Sequence, residues 1–209
     1  MHSRLFLPVL GLLALAGCRS AGSSGTSIIQ PGAPGEANRV ISREAATDLS
    51  QVQHTPADVT FMQGMIAHHA QALDMTVLIE ERTSRDEMKR LGQRISVSQA
   101  DEINMMRTWL TRRGQGLPAA HAHHMPGGMM PGMLSDAQMA ELTAAKGEEF
   151  DRLFLKYMIQ HHEGALSMVD DLFKTPGAGQ EGDINAFAAD VDSDQRMEID
   201  RMRAMLGSR

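Results

Sequence analysis

Phe61-Met62-Gln63-Gly64-Met65-Ile66-Ala67-His68-His69-Ala70-Gln71-Ala72-Leu73-Asp74-Met75 recurs 93 residues later as Phe154-Leu155-Lys156-Tyr157-Met158-Ile159-Gln160-His161-His162-Glu163-Gly164-Ala165-Leu166-Ser167-Met168. Eight of the fifteen positions are identical, including the Met-x-x-His-His core and the Met seven residues beyond its first His. Asp58 and Asp151 align just upstream. Apolar positions at 61, 65, 68, 72, 75 and 79 alternate steps of four and three, which draws one stripe along an α-helix. Phe154, Met158, His161, Ala165 and Met168 draw the same stripe in the second copy.

The first helix is expected to open with Thr55 as N-cap, Pro56 at the first helical position and Asp58 at the third. Ser84-Arg85-Asp86-Glu87 reads as a capping box opening a second helix, which runs to about Arg113 with Gly114 as its stop. A short helix over 136–146, capped by Ser135 and broken at Gly147, precedes helices over 148–174 and 183–206, joined by a Gly-rich turn. Gln99, Glu102, Ile103, Met106 and Leu110 correspond to Gln195, Glu198, Ile199, Met202 and Leu206 at an offset of 96. The chain is thus two related αα-hairpins. Each hairpin alone exposes its stripe, so the pair packs as an all-α four-helix bundle over 55–209. No alternating strand pattern is evident.

Residues 1–17 read as a signal peptide, with Arg4 ahead of an apolar run from Leu5 to Ala16 that is too short to span a bilayer. Leu15-Ala16-Gly17-Cys18 resembles a bacterial lipobox, which implies cleavage before Cys18 and a lipid on its thiol. Residues 18–54 then form a flexible tether, rich in Ser, Gly, Pro and Ala, with room for a helical turn near 42–49. The expected location is extracytoplasmic, on a membrane, in the periplasm or at the cell surface. Residues 114–134 join the hairpins, and their Gly and Pro argue against a regular element.

The 209 residues are enough for one domain plus tails. A net charge of −6 argues against a nucleic-acid partner. Aromatic residues make up only 4%, so the core must be aliphatic and Met-based, and seventeen Met is far above ordinary usage. The single Cys is consumed by the lipobox, which excludes disulfides and thiolate metal sites in the mature domain.

Seven of the nine His fall in three clusters, at 68/69, 161/162 and 121/123/124. On a helix, Met65 shares a face with His68 and His69, and Met158 with His161 and His162. Imidazole suits copper, zinc and iron, whereas thioether selects Cu(I). Di-iron bundles use Glu-x-x-His, and here the residue three before each first His is Met. Copper, as Cu(I) or Cu(II), is therefore the expected ligand, with silver as a chemical relative. In the loop, His121, His123 and His124 offer imidazoles, and Met125, Met129, Met130 and Met133 offer thioethers. Glu102 and Glu198 are placed to orient imidazole N–H groups. Met62, Met75 and Met168 are weaker ligand candidates. Met105, Met106, Met202 and Met205 belong with the core.

Met65-Ile66-Ala67-His68-His69 and Met158-Ile159-Gln160-His161-His162 resemble the signature of the domain-of-unknown-function family 305. Phe150-Asp151 and the Gln-x-x-Glu-Ile pattern fit it too. The resemblance covers roughly residues 55–207 and implies a ferritin-like helical fold. Its CopM-like members are secreted or periplasmic copper binders linked to copper resistance. The loop is not part of that signature, so its metal reading rests on ligand chemistry alone.

The expected function is copper sequestration, transfer or resistance by a lipid-anchored binding protein, with an unidentified delivery partner and no enzymatic role. The alternatives are a metal-dependent oxidase, a b-type haem bundle and a structural envelope protein whose Met residues only pack.

Overall fold

The computed structural model describes residues 27–30, 37–48, 52–118, 124–125 and 128–207. The chain divides into two compact units, Met1–Asp48 and Leu49–Arg209.

In the first unit, strand β1 (Ile28–Gln30) pairs antiparallel with β2 (Arg39–Ile41), Ile28 opposite Ile41 and Ile29 opposite Val40. Helix α1 (Arg43–Thr47) follows, capped by Ser42, whose hydroxyl accepts from the Ala45 N–H at 3.1 Å. The segment expected to be tether therefore carries local structure. Its strands are three residues each, too short for any alternation to show in sequence, and an isolated two-stranded ribbon is only marginally stable in water. Cys18 lies outside the described residues.

The second unit contains α2 (Pro56–Val77), α3 (Ile79–Arg82), α4 (Asp86–Arg112), β3 (His124–Met125), β4 (Gly128–Met129), α5 (Asp136–Ala144), α6 (Gly147–Lys174) and α7 (Gly182–Gly207). Helix α2 packs along α4, α6 along α7, and the two hairpins meet through α2 and α6. The result is the all-α bundle of repeated hairpins.

Local chemistry sets the helix ends. The Thr55 hydroxyl accepts from Asp58 N–H, and Asp58 Oδ2 accepts from Thr55 N–H at 2.6 Å. Asp58 Oδ1 takes the Gly179 N–H at 2.7 Å, which ties the start of α2 to the α6–α7 turn. Asp151, its repeat partner, faces Arg85 at 3.5 Å, which ties the start of α6 to the α2–α4 turn. Each hairpin thus holds the turn of the other. At the end of α4, Gln115 N–H reaches Leu110 O and Gly114 N–H reaches Thr111 O, with Gly114 at φ +65. This is a Schellman stop.

Two expectations are corrected. Ser84 does not cap α4: the Thr83 hydroxyl accepts the Arg85 N–H at 3.1 Å, and Arg85 becomes an N-cap without a side-chain bond. A hydroxyl that captures a nearby backbone N–H delays the helix by one residue. The 114–134 loop does contain a regular element, since β3 and β4 pair antiparallel with His124 opposite Met129. Two-residue strands are beneath the reach of a periodicity argument.

The core is divided. One apolar cluster contains Ala72, Met75, Ile95, Phe154, Met158 and Met202. The other contains Met62, Met65, Ile103, Met106, Ala165 and Val191. On every long helix the boundary falls at one level: after Ile66 in α2, at Gln99 in α4, before Ala165 in α6 and at Gln195 in α7. What lies at that level is polar and buried: His68, His69, His161, His162, Gln99 and Gln195.

Candidate metal centre

The four imidazoles of this layer belong to repeat-related turns of α2 and α6. His68 and His161 stack across the hairpin interface, with ring centroids 3.8 Å apart and planes tilted by 37°. His161 Nε2–H donates to the His68 carbonyl at 2.9 Å, and His68 Nε2–H donates to the Pro131 carbonyl at 3.0 Å. A carbonyl only accepts, so the proton on each ring sits at Nε2. The outer pair follow the same rule: His69 Nε2–H donates to Glu102 at 2.5 Å, and His162 Nε2–H donates to Glu198 at 2.6 Å. Carboxylates in this position fix ring orientation and raise ligand basicity.

Every ring has therefore committed Nε2, and all four buried Nδ1 atoms have no hydrogen-bond partner among the described residues. Burial, then the neighbouring His69, pushes the His68 pKa down to about 3, with the Pro131 carbonyl opposing. Burial, then His68, pushes His161 well below the ordinary value. Both inner rings are neutral at physiological pH, and each presents a bare Nδ1 lone pair. An unpartnered buried polar atom costs about 1–3 kcal/mol. Four such atoms in one layer carry a cost that approaches the whole net stability of a typical domain.

The donor set fits a borderline or soft ion: imidazole nitrogens, with the thioethers of Met65 and Met158 in the flanking apolar clusters. It does not fit a closed zinc tetrahedron. Among the described residues no three His, Cys, Asp or Glu side chains form a metal-holding group.

The two sides of the layer differ. Towards α4 and α7 lies a groove of 370 Å³ lined by Arg94, Ser98, Asp194, Met197, Glu198 and Arg201. Glu198 both lines this groove and holds His162. Burial, then the charges of Glu102 and Glu198, raises the Asp194 pKa. Towards α2 and α6 the layer is covered by residues 130–134, through the Pro131 carbonyl on His68 and Gln71 on Leu134.

Of the residues singled out in sequence, the four helix His and the two Glu converge on this layer. Met62 and Met65 lie in one apolar cluster, Met75 and Met158 in the other. Met130 and Met133 are buried together beside Met168, which also packs against the cluster of Met62 and Met65. Met129 is 48% exposed. His121 and His123 lie outside the described residues, and His124 and Met125 are described only as the backbone of β3. The sequence reading missed Gln99 and Gln195 as members of the layer. Among the described residues, Gln99 Nε2 and Oε1 and Gln195 Oε1 of these buried amides have no hydrogen-bond partner. The available signal was a Gln at the same point of both hairpins, where an apolar stripe should continue.

Comparison with known proteins places the chain. A curated relative, uncharacterized protein L153 of Acanthamoeba polyphaga mimivirus, is 39% identical over 56 residues, and the match spans 27% of this chain and 37% of that protein. A DUF305 fragment from Deinococcus radiodurans is 34% identical with a TM-score of 0.64, covering 75% of this chain and 99% of that one. A Streptomyces coelicolor DUF305 protein whose name describes it as secreted is 30% identical with a TM-score of 0.64, covering 73% and 93%. CopM in its Cu(I)-bound form is 26% identical with a TM-score of 0.58, covering 75% and 98%, and Cu(II)- and Ag-bound forms of CopM match as well. The model of the family described as Domain of unknown function (DUF305) matches residues 58–206, and the chain belongs to that family.

Proposed function

We propose that this chain is an extracytoplasmic, lipid-anchored copper-binding protein that sequesters copper or hands it on. The observation that carries the reading is the set of four buried His rings, each with Nε2–H committed and Nδ1 unpartnered. Repeat-related Met65 and Met158 add thioethers that favour Cu(I). Thioethers are neutral and exchange readily, which suits transfer to a partner better than permanent storage. Structures of CopM with Cu(I), Cu(II) and Ag support the same class of cargo. In this reading residues 1–17 are a signal peptide, 18–54 a lipidated Cys18 and tether, and 55–209 the metal-binding bundle. The S. coelicolor relative described as secreted agrees with that location.

Competition titration of Cu(I) against a chromophoric chelator tests the cargo. Tight binding that weakens in the Met65→Leu/Met158→Leu protein is expected. No tight binding by the unaltered protein overturns the reading. Cys18→Ala should move the protein from the membrane fraction to the soluble one, and retention on membranes removes the lipid anchor from the proposal.

A further inference from the structure

The segment Met130-Pro131-Gly132-Met133 closes a tight turn in which Met133 N–H donates to Met130 O at 3.3 Å. Pro at the second position and Gly at the third, with Gly132 at φ +75, are the residues a type II turn requires. The turn is pinned to both hairpins. His68 donates to Pro131 O, Gln160 Nε2 donates to Gly132 O at 3.3 Å, and the Gln71 amide grips both the N–H and the C=O of Leu134 at 2.7 and 3.0 Å. Gly132 and Gly164 meet backbone to backbone: a Cβ on Gly164 would lie 2.1 Å from Pro131 O. So fixed, the turn holds its first and last side chains next to each other. Both are Met, both are buried, and they pack on Ala67 with the half-buried Met168 of α6. Met168 joins this small cluster to the apolar cluster of Met62 and Met65, and three of the four side chains carry a thioether.

We propose that Met130, Met133 and Met168 form a three-thioether site for one soft monovalent d10 cation, Cu(I) or Ag(I), separate from the His layer. The proposal rests on the soft-metal reading of the chain but uses none of the His ligands. The backbone is rigid and the ligands are flexible, which lets three sulfurs close on an ion without moving the turn. Three neutral sulfurs suit a monovalent soft ion and reject Zn(II). The turn occurs once and sits asymmetrically on the repeat, so the site takes one ion per chain.

The full-length protein, carrying 13C-methyl methionine, is titrated with Ag(I) and followed by NMR. The ε-methyl signals of Met130, Met133 and Met168, assigned by single Leu substitutions, should shift together and saturate together, and Zn(II) should leave all three in place. The Met130→Leu/Met133→Leu protein should bind one Ag(I) fewer. Leu keeps the volume of Met closely enough to hold the fold, and if that pair fails to fold, Met168→Leu alone must abolish the joint shift of Met130 and Met133. Methyl signals that stay put while Ag(I) binds, or a double variant with its full complement of Ag(I), overturn the site. His69→Gln/His162→Gln separates the two readings: it should lower Ag(I) uptake without disturbing the methyl shifts, and if uptake is unchanged while the shifts persist, the His layer falls and the thioether site stands.

Discussion

The two hairpins carry the same chemistry in the bundle interior and different chemistry on the seam between α2 and α6. Inside, His69–Glu102 and His162–Glu198 are equivalent pairs, and Asp58 and Asp151 each secure the opposite turn. On the seam the repeat is broken: Ala67 and Gln71 of α2 correspond to Gln160 and Gly164 of α6. All four positions touch the single connector at 130–134. The difference shows which residues answer to the duplication and which to the connector. A chain with two hairpins has only one crossover between them, so whatever seats that crossover cannot be symmetric.

The largest effect expected from the shared interior is on pH stability of the metal-free protein. His68 and His161 are held neutral by burial, with folded pKa values below the unfolded 6.5. As pH falls below 6.5 the unfolded chain takes up protons that the folded chain refuses, so folding stability drops until the His68 pKa of about 3 is reached. At pH 5 the two rings together should cost about 4 kcal/mol relative to neutral pH. Urea midpoints recorded across this range check it, and a flat profile would show that the inner rings are not held neutral. Because the rings are stacked and repeat-related, replacing either one should remove a similar share of the pH dependence.

The seam is best broken at Gly164. Gly164→Ala puts a methyl against the Pro131 carbonyl and should cost about 1–3 kcal/mol, with the connector displaced from α6. Gln71→Ala attacks the same connector from α2, leaves the Leu134 N–H and C=O unpartnered, and should cost about 1–3 kcal/mol. Because both act on one element, the double variant should cost less than the sum. Full additivity in chemical denaturation would mean the connector is not seated as one unit.

Much of the fold was legible because it is periodic and local. The stripe at 61, 65, 68, 72, 75 and 79 needs only the helical repeat, and every one of those residues is buried. Thr55, Gly114 and Ser135 act within four or five residues of themselves. The Glu partners of the outer His could be read from matched spacing in α4 and α7. What was not legible depends on distant backbone. The seat of the 130–134 turn is made by Gly132 and Gly164, 32 residues apart, and by amides of Gln71 and Gln160 that look like surface residues in sequence. The orphaned Gln99 and Gln195 were visible as a repeat but carried no local signal of burial. Ser84 was misread because Thr83 offered a competing hydroxyl one residue earlier.

The equivalence of the halves can be sharpened through the carboxylates. Glu102→Gln and Glu198→Gln keep the size of the side chain but weaken the orientation of His69 and His162. Each should lower Cu(I) affinity by about 10–100-fold, with matching losses if the two halves bind alike. A loss at only one of them would mean that the asymmetric seam reaches into the layer and makes one half the dominant site.

The smallest effects should come from the connector itself, where position separates neighbours of one residue type. Met129 is 48% exposed on β4, while Met130, next in sequence, is buried under the turn. Met129→Leu should change stability by no more than about 0.5 kcal/mol. Met130→Leu replaces a flexible side chain by a branched one in a packed cluster and should cost up to about 1.5 kcal/mol. Met168 packs on Met130 and Met133 as well as on the cluster of Met62 and Met65, whereas Met75 lies in the other main cluster and outside the turn's cluster, although 75 and 168 are repeat-related. If Ag(I) stabilises the unaltered protein against heat, and the increment shrinks for Met168→Leu but not for Met75→Leu, then two positions made alike by duplication have been divided by a single turn. Equal loss at both would return Met168 to the symmetric interior.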